Sequence, residues 1–337
     1  MIVNKLIYYI LKYKYNILSK ENIFFKDNNV YINWWTSDLV VDPYWLNNFI
    51  KNNFDFKDKI VFCSIGGKRK SIENYKIHPK IFFSGESLEK PIRYSLLKED
   101  KMNYTKFFFE RIFNEYKDLL INDVDLSISY SKNDNPKYIR FPYWMMYVFN
   151  PTCNYKDIKK RVEEINEIKV ISNINKAVVI NKHDVFGTRS KICNDISSVI
   201  NIEYAGKWKN TTSDLWNKYN NKKIEYIKQF KYNICAENMD APNYVTEKLF
   251  DAFLAGTIPI YHGAENNPEP DIINKERIVL WNFKGDNCEN IKLLKKLQSD
   301  DNFYYKFTNQ PKLLKNASEI IYDKFLELKN KLDIILE

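Results

Sequence analysis

Lys248 stands at a place where a cation is electrostatically unfavourable. Thr246 has the type of a helix N-cap, apolar residues follow it at helical spacing, and Gly256 stands where a left-handed cap would end that helix. A helix N-terminus carries roughly half a positive charge, so a lysine there costs on the order of a few tenths of a kcal/mol. Together with the free backbone N–H groups of a helix start, Lys248 would suit a diphosphate. The alternative is a lysine that points into solvent.

Two other residues, Glu247 and Arg189, could complete such an anion site. Glu247 could accept hydrogen bonds from ribose hydroxyls, as an acidic residue does in dinucleotide-binding folds, or it could only complement the helix dipole. Arg189, in FGTRSK (186–191), comes near the start of another predicted helix. A guanidinium binds phosphate oxygens with two parallel hydrogen bonds. Without further context, an ordinary surface arginine is the favoured interpretation.

Acidic residues offer two other kinds of chemistry. Glu86, in GESLEK (85–90), follows an apolar strand, and a carboxylate on such a loop is a candidate general base. Most glutamates in that position have no catalytic role. Asp123 and Asp125 form a D-x-D pair, which could hold a divalent metal on a diphosphate. For this pair the pattern favours a structural role.

Strands alternate with helices along the chain, which indicates parallel sheets in an α/β architecture. Predicted strands cover 29–35, 59–65, 78–86, 125–130, 176–182, 201–206, 230–238, 257–263 and 277–283. Residues 138–146 are a proline-broken apolar run that ends the first half of the chain. Predicted helices cover 43–53, 104–120, 155–167, 187–200, 217–229, 246–255, 288–298 and 318–337. We expect two Rossmann-like domains, 1–155 and 156–317, that face a central cleft, with the final helix 318–337 packing back on the first domain. Ligands bind beyond the carboxyl ends of parallel strands, so the polar strand ends 84–86 and 237–238 are expected to carry the chemistry.

Composition excludes several classes of protein. The chain has 337 residues and a net charge of +9, but no basic stripe or motif accompanies the charge, so we expect no nucleic-acid partner. The five cysteines are scattered and the three histidines lie far apart, which argues against a disulfide framework and a metal site. The first 20 residues are interrupted by lysines, so we expect no transmembrane anchor. They could lie on a membrane surface, although an ordinary packed element is favoured. These features predict a soluble protein of the reducing cytoplasm.

Residues 230–263, FKYNICAENMDAPNYVTEKLFDAFLAGTIPIYHG, resemble the signature of the α1,3/4-fucosyltransferases, glycosyltransferase family ten. The hallmark of that family is an apolar strand, F-E-N, a short loop, Y-V-T-E-K, a helix and a strand that ends near G-T-x-P. This chain departs once, with Ala236 before Glu237 where phenylalanine is usual. Weaker similarities support it by their order along the chain: IFFSGES (81–87), DLSISYS and YIRFPYW (125–144), and NKHDVFGTRSK (181–191).

The resemblance implies a two-domain GT-B fold and an inverting transfer of L-fucose from GDP-β-L-fucose to a sugar hydroxyl. By motif position, Glu86 would be the general base and Arg189 and Lys248 would bind the diphosphate. Asn238, Tyr244 and Glu247 would contact the ribose and phosphates of the donor nucleotide. The family needs no essential metal or other cofactor, although Mn²⁺ or Mg²⁺ could stimulate the reaction. The diphosphate is then the anion that Lys248 requires.

Several alternatives stay open. The acceptor is expected to be an oligosaccharide or glycoconjugate, with O3 of N-acetylglucosamine in an N-acetyllactosamine-like glycan as the first choice. The same fold could use another GDP-sugar, because the motif reads the nucleotide better than the sugar. A metal-dependent sugar-nucleotide transferase would use Asp123 and Asp125. A non-catalytic sugar- or nucleic-acid-binding protein on the same scaffold is opposed by the intact Y-V-T-E-K motif and by Glu86.

Overall fold

Short parallel strands and the helices between them form most of the regular structure in the computed structural model of this protein. The structure describes residues 6–13, 23–34, 42–90, 104–169 and 174–337. The chain divides into two compact units. Unit 1 is Met1–Thr152 together with Asp323–Glu337, and unit 2 is Cys153–Tyr322. Each unit is built on one sheet, which confirms the predicted α/β class.

The described strands of unit 1 follow one another across the sheet in chain order. They are β1 (Ile23–Lys26), β2 (Asn29–Ile32), β3 (Val61–Cys63), β4 (Lys80–Phe83), β5 (Leu126–Ser129) and β6 (Tyr138–Arg140). β1 pairs antiparallel with β2, and the other pairs are parallel. The strands from β2 to β5 are buried along their whole length, as expected for a parallel sheet covered on both faces. The helices are α1 (6–13), α2 (Asp42–Asn53), α3 (Arg69–Asn74), α4 (Tyr104–Glu115) and α5 (Tyr143–Val148).

Unit 2 contains a parallel sheet whose described strands do not follow chain order. They are β7 (Ile174–Val179), β8 (Asn201–Tyr204), β9 (Phe230–Ile234), β10 (Ile258–Tyr261) and β11 (Val279–Leu280), in the order β11-β10-β9-β7-β8. The chain moves from β7 to β8 on one side and then returns to place β9 on the other side of β7. Parallel α/β sheets bind ligands beyond the carboxyl ends of their strands at such a reversal. In this unit it lies between β7 and β9.

The helices of unit 2 pack around this sheet. They are α6 (Tyr155–Glu167), α7 (Thr188–Ile196), α8 (Asp214–Asn217), α9 (Lys223–Ile227), α10 (Glu247–Leu254), α11 (Cys288–Ser299) and α12 (Asp301–Asn309), followed by α13 (Ala317–Leu336). The part of α13 from Asp323 onward belongs to unit 1. There, the ring of Phe325 makes edge contacts with Trp45, Phe49 and Phe141.

Three local features differ from the prediction. The helix expected over 217–229 is shortened to α9, and α8 ends at Asn217, because Asn220 and Asn221 between them adopt left-handed backbone angles, with φ of 49° and 60°. An additional strand, β1, forms a hairpin with β2, the first predicted strand. The two turn residues, Asp27 and Asn28, also have positive φ, as a tight two-residue hairpin turn requires. The helices α3, α5 and α12 were not predicted, and α5 begins directly after Pro142.

One side of the N-terminal helix α1 packs against α4, and the other side is exposed. Tyr8 contacts Phe107 with a ring separation of 5.6 Å. Leu6, Tyr9 and Tyr13, which share a face at helical spacing, are exposed. The contact with a membrane surface that the sequence suggested for this segment stays a prediction. Among the described helices, none has the length and apolar character that crossing a bilayer requires. All five cysteines are free of disulfide bonds.

Candidate active site

Helix α10 begins after Thr246, as predicted, and its lysine lies beside two carboxylates. Lys248 Nζ donates to Thr246 Oγ1 at 2.9 Å. The same ammonium is 3.4 Å from Glu237 Oε2 and 3.4 Å from Glu247 Oε1. These contacts offset part of the repulsion between Lys248 and the positive end of the helix. They also hold the ammonium at the carboxyl edge of the sheet, next to the end of β9.

Glu237 is the residue that fixes this helix start to the sheet. Its side chain is 1% exposed, and its carboxylate accepts hydrogen bonds from Thr246 N at 2.8 Å, Thr246 Oγ1 at 2.6 Å and Tyr261 OH at 3.3 Å. A buried carboxylate is tolerated only when its oxygens are paired in this way. Gly263 makes room for it, because a Cβ atom at that position would lie 2.6 Å from Glu237 Cγ.

Arg189 is buried at the start of α7 and joins the two strands that flank the reversal. Its Nη1 donates to His183 O at 3.1 Å, in the loop after β7. Its Nη2 donates to Ala236 O at 3.0 Å and to Asn238 Oδ1 at 2.9 Å, both after β9. The structure therefore brings the predicted residues Arg189 and Asn238 into direct contact. The guanidinium is 1% exposed and held in one orientation.

The N-terminus of α7 is already capped by this chain. Asp184 accepts from Arg189 N at 3.0 Å and from Ser190 N at 2.7 Å. Gly187 allows the tight entry into the helix with a φ of 68°. The backbone N–H groups of Arg189 and Ser190 are therefore already paired within the chain.

The pKa values of His183 and Glu247 are both lowered at this positively charged edge of the sheet. Burial and the nearby charges of Arg189 and Lys248 lower the pKa of His183 to about 4, so its imidazole is neutral at pH 7 in a positive environment. For Glu247, burial alone would raise the pKa, but the charges of Lys248 and Lys223 outweigh it and lower the pKa to about 2. The positive potential favours bound anions and keeps Glu247 ionised.

The other predicted contacts of the nucleotide lie in the same loop and helix start. Tyr244 is 1% exposed, so in this conformation its side chain packs inside unit 2. The Glu247 side chain is 25% exposed and Asn238 is half-buried. Their predicted roles toward a donor stay predictions.

Glu86 lies in unit 1, in the turn after β4, and is half-buried. Ser84 Oγ donates to Glu86 O at 2.8 Å. Just beyond it, Tyr130 OH lies 2.8 Å from Ser87 Oγ and accepts from Leu88 N at 3.0 Å. The sequence therefore predicted the position of this carboxylate at a strand end correctly, while its role as a base stays a prediction.

Asp123 and Asp125 take part in structural contacts at the opposite, amino end of β5. Asp123 Oδ2 is 2.5 Å from Arg69 Nη2, and Asp125 Oδ2 is 2.6 Å from His78 Nδ1 and accepts from Lys80 N at 2.7 Å. Within the described ranges, no group of three histidine, cysteine, aspartate or glutamate residues could hold a metal ion. This geometry supports the structural interpretation of the D-x-D pair.

Sequence reasoning noted Glu237 only as a polar strand end, and it missed His183. The role of Glu237 comes from partners 9 and 24 residues later in the chain, which a local pattern does not show. Its signal was a carboxylate that directly follows the apolar strand β9. The signal of His183 was its place six residues before Arg189, in the turn after β7.

Comparisons with known proteins show what this chain is similar to. The family profile described as Glycosyltransferase family 10 (fucosyltransferase) C-term matches residues 154–323. An alpha-(1,3)-fucosyltransferase of Helicobacter pylori is 25% identical over 306 residues, which cover 81% of this chain and 57% of that protein. A 4-galactosyl-N-acetylglucosaminide 3-alpha-L-fucosyltransferase of Cricetulus griseus is 28% identical over 123 residues, which cover 36% of this chain and 32% of that protein. The chain thus spans less than two thirds of the length of these relatives.

A solved structure supports the fold. The crystal structure of an alpha1,3-fucosyltransferase with GDP-fucose has a TM-score of 0.56 to this chain at 18% identity, and the match covers 90% of this chain and 88% of that one. This similarity confirms the predicted GT-B fold class.

Proposed function

Because this chain belongs to glycosyltransferase family 10, we propose that it is an α1,3-fucosyltransferase that moves L-fucose from GDP-β-L-fucose to a sugar hydroxyl. One observation carries the proposal. Arg189 and Lys248 stand at the starts of the helices that follow β7 and β9, the strands between which the sheet reverses. Two fixed cations at such an edge suit a nucleoside diphosphate.

The donor diphosphate would interact with charges that are already in place. GDP gains negative charge as the bond to fucose breaks, and preorganised cations stabilise that charge without reorganising. Arg189 is held by three carbonyl-type acceptors, and Lys248 by Thr246 and two carboxylates. The carboxylate of Glu247 would remain available to accept hydrogen bonds from ribose hydroxyls, because it stays ionised at neutral pH.

The transfer is proposed to invert the configuration of the sugar in one displacement. Glu86 would remove the proton of the acceptor hydroxyl while that oxygen attacks the fucose carbon from the face opposite GDP. The proton ends on the carboxylate, the new bond forms to the acceptor oxygen, and the electron pair of the broken bond leaves with GDP. A metal ion is not needed in this scheme, because the two cations supply the charge.

For the acceptor we propose O3 of N-acetylglucosamine in an N-acetyllactosamine-like glycan. The name of the Cricetulus relative refers to a 4-galactosyl-N-acetylglucosaminide, and that is the support for this choice. A transferase of the same fold that uses another GDP-sugar is the second candidate. The D-x-D alternative is weaker, since Asp123 and Asp125 are engaged with Arg69 and His78.

The first experiment is an incubation of the purified protein with GDP-fucose and N-acetyllactosamine, with and without EDTA. We expect released GDP and a fucosylated product of matching amount by mass spectrometry, in both conditions. A product formed with GDP-mannose but not with GDP-fucose would support the second candidate, a transferase that uses another GDP-sugar. Turnover that EDTA abolishes and Mn²⁺ restores would contradict the metal-free scheme. GDP release without product would keep the donor and reject this acceptor.

A further inference from the structure

Five buried hydrogen-bonding atoms near the amino ends of β9 and β11 have no partner in the described part of the chain. Three are the guanidinium nitrogens of Arg277, whose side chain is 0% exposed, and two are the hydroxyls of Tyr232 and Tyr304. Buried polar atoms are almost always hydrogen-bonded, and a buried charge without a partner is especially costly. The cluster is at the other end of the strands from the candidate active site, so donor binding does not account for it.

The three residues come together beneath α12. The guanidinium of Arg277 lies 5.4 Å from the ring centroid of Phe307, and Tyr304 is one helical turn earlier on the same face of α12. Burial raises the pKa of Tyr304, and the charge of Arg277 opposes that rise, which places the hydroxyl within the field of the guanidinium. Tyr232 belongs to the core cluster against which Tyr304 packs.

A second buried cation adds to the positive charge. Lys312 is 0% exposed, and its ammonium donates to Ile165 O at 2.9 Å and Ile168 O at 2.5 Å, at the C-terminus of α6. Burial, and then the charge of Arg277, lower the pKa of Lys312 to about 7. Among the described residues, no carboxylate contributes to the pKa shift of Arg277 or of Lys312. Positive charge is therefore concentrated here without an acidic partner among the residues that the structure describes.

We propose that Arg277, Tyr232 and Tyr304 bind a small inorganic anion of the size of chloride inside unit 2. All the unpartnered atoms are hydrogen-bond donors or can act as donors, which is the arrangement that an anion requires. A water molecule would satisfy some of these hydrogen bonds but would leave the charge of a guanidinium that does not deprotonate at neutral pH. Full burial of Arg277 and Lys312 excludes larger anions such as nucleotides.

Binding of this anion would fix α12 and the turn Lys275–Arg277 to the sheet. A ligand that binds the folded chain and not the unfolded one stabilises it in proportion to the logarithm of its concentration. Stability should thus depend on chloride, while the kinetics of the proposed transfer should not.

The test is the melting temperature of the whole chain in potassium chloride against potassium gluconate at equal ionic strength. We expect a rise of about 3 °C for each tenfold increase in chloride above the dissociation constant. The rise should be lost in Arg277→Met and reduced in the milder Tyr304→Phe. The matched control is Arg161→Met, since Arg161 is partly exposed and paired with Glu164 in the same unit. Equal melting curves in the two salts would overturn the proposal.

Crystals of the unmodified protein grown in bromide give an independent answer that does not rely on a variant that folds. An anomalous bromide peak within hydrogen-bonding distance of the Arg277 guanidinium would support the site. Electron density there without anomalous signal would identify water and would also overturn it.

Discussion

The carboxyl edges of the two sheets differ in how they hold their polar residues. In unit 2 the edge lies at a reversal of strand order, and buried Arg189 and Glu237 tie the strand ends to the helices that follow. In unit 1 the described strands run in chain order, and Glu86 stands in a half-buried turn after β4. Fixed charges suit the diphosphate of the proposed donor. A turn carried on a rigid sheet suits the proposed acceptor side, because binding residues are often placed on loops that a scaffold positions.

The proposed difference between the two edges predicts its largest effect at Glu86. If this turn supplies the base, Glu86→Gln should lower kcat about a thousandfold and leave the dissociation constant of GDP-fucose unchanged, because the amide keeps the shape but accepts no proton. Initial rates and calorimetric titration of the donor measure the two effects. Glu89→Gln is the matched control, since Glu89 is exposed in the same loop and accepts from Ser131 Oγ. Near-normal turnover of Glu86→Gln would place the base elsewhere.

Lys248→Met should have the next largest effect, about a hundredfold on kcat/KM for GDP-fucose. The loss should appear in kcat as well as in KM, because the negative charge of GDP grows as the bond breaks. Lys228→Met provides the control in unit 2, where Lys228 forms a surface pair with Glu225. Unchanged donor kinetics would remove Lys248 from the diphosphate site and weaken the contrast between the edges.

Glu237→Gln tests whether the edge of unit 2 is preorganised. The amide would present a donor to Thr246, whose N–H and hydroxyl both donate to Glu237 in the native structure. We expect a loss of about 1–3 kcal/mol in the free energy of unfolding and a rise of about tenfold in donor KM, as Lys248 loses its fixed position. Urea unfolding and steady-state kinetics measure these changes. If stability fell but donor KM did not, Glu237 would serve the fold alone.

Sequence reasoning predicted most of the strands and the helix α10, because buried parallel strands are apolar runs and the N-cap and C-cap residues of α10 are local signals. The predicted site residues Arg189 and Asn238 meet for a topological reason, namely that β7 and β9 are neighbours. Helix α3 was not predicted because it is short and polar, with Ile72 and Ser71 as its buried residues. The hydrogen bonds that fix the site are accepted by Glu237 from residues distant in the chain, so no local pattern reveals them.

The smallest effect on turnover is expected from substitutions in the D-x-D pair, Asp123 and Asp125. A small effect would indicate that the amino edge of unit 1 has a structural role. Asp123→Asn and Asp125→Asn should keep turnover within about twofold, because removing an ion pair at a partly exposed site changes stability more than chemistry. Arg69 loses one of its three carboxylate partners in the first variant, and His78 loses Asp125 in the second, so the melting temperature should fall slightly in both. Rates in EDTA should match those of the unmodified chain. A collapse of turnover that Mn²⁺ restores in part would instead make this edge the catalytic one and reverse the comparison between the two sheets.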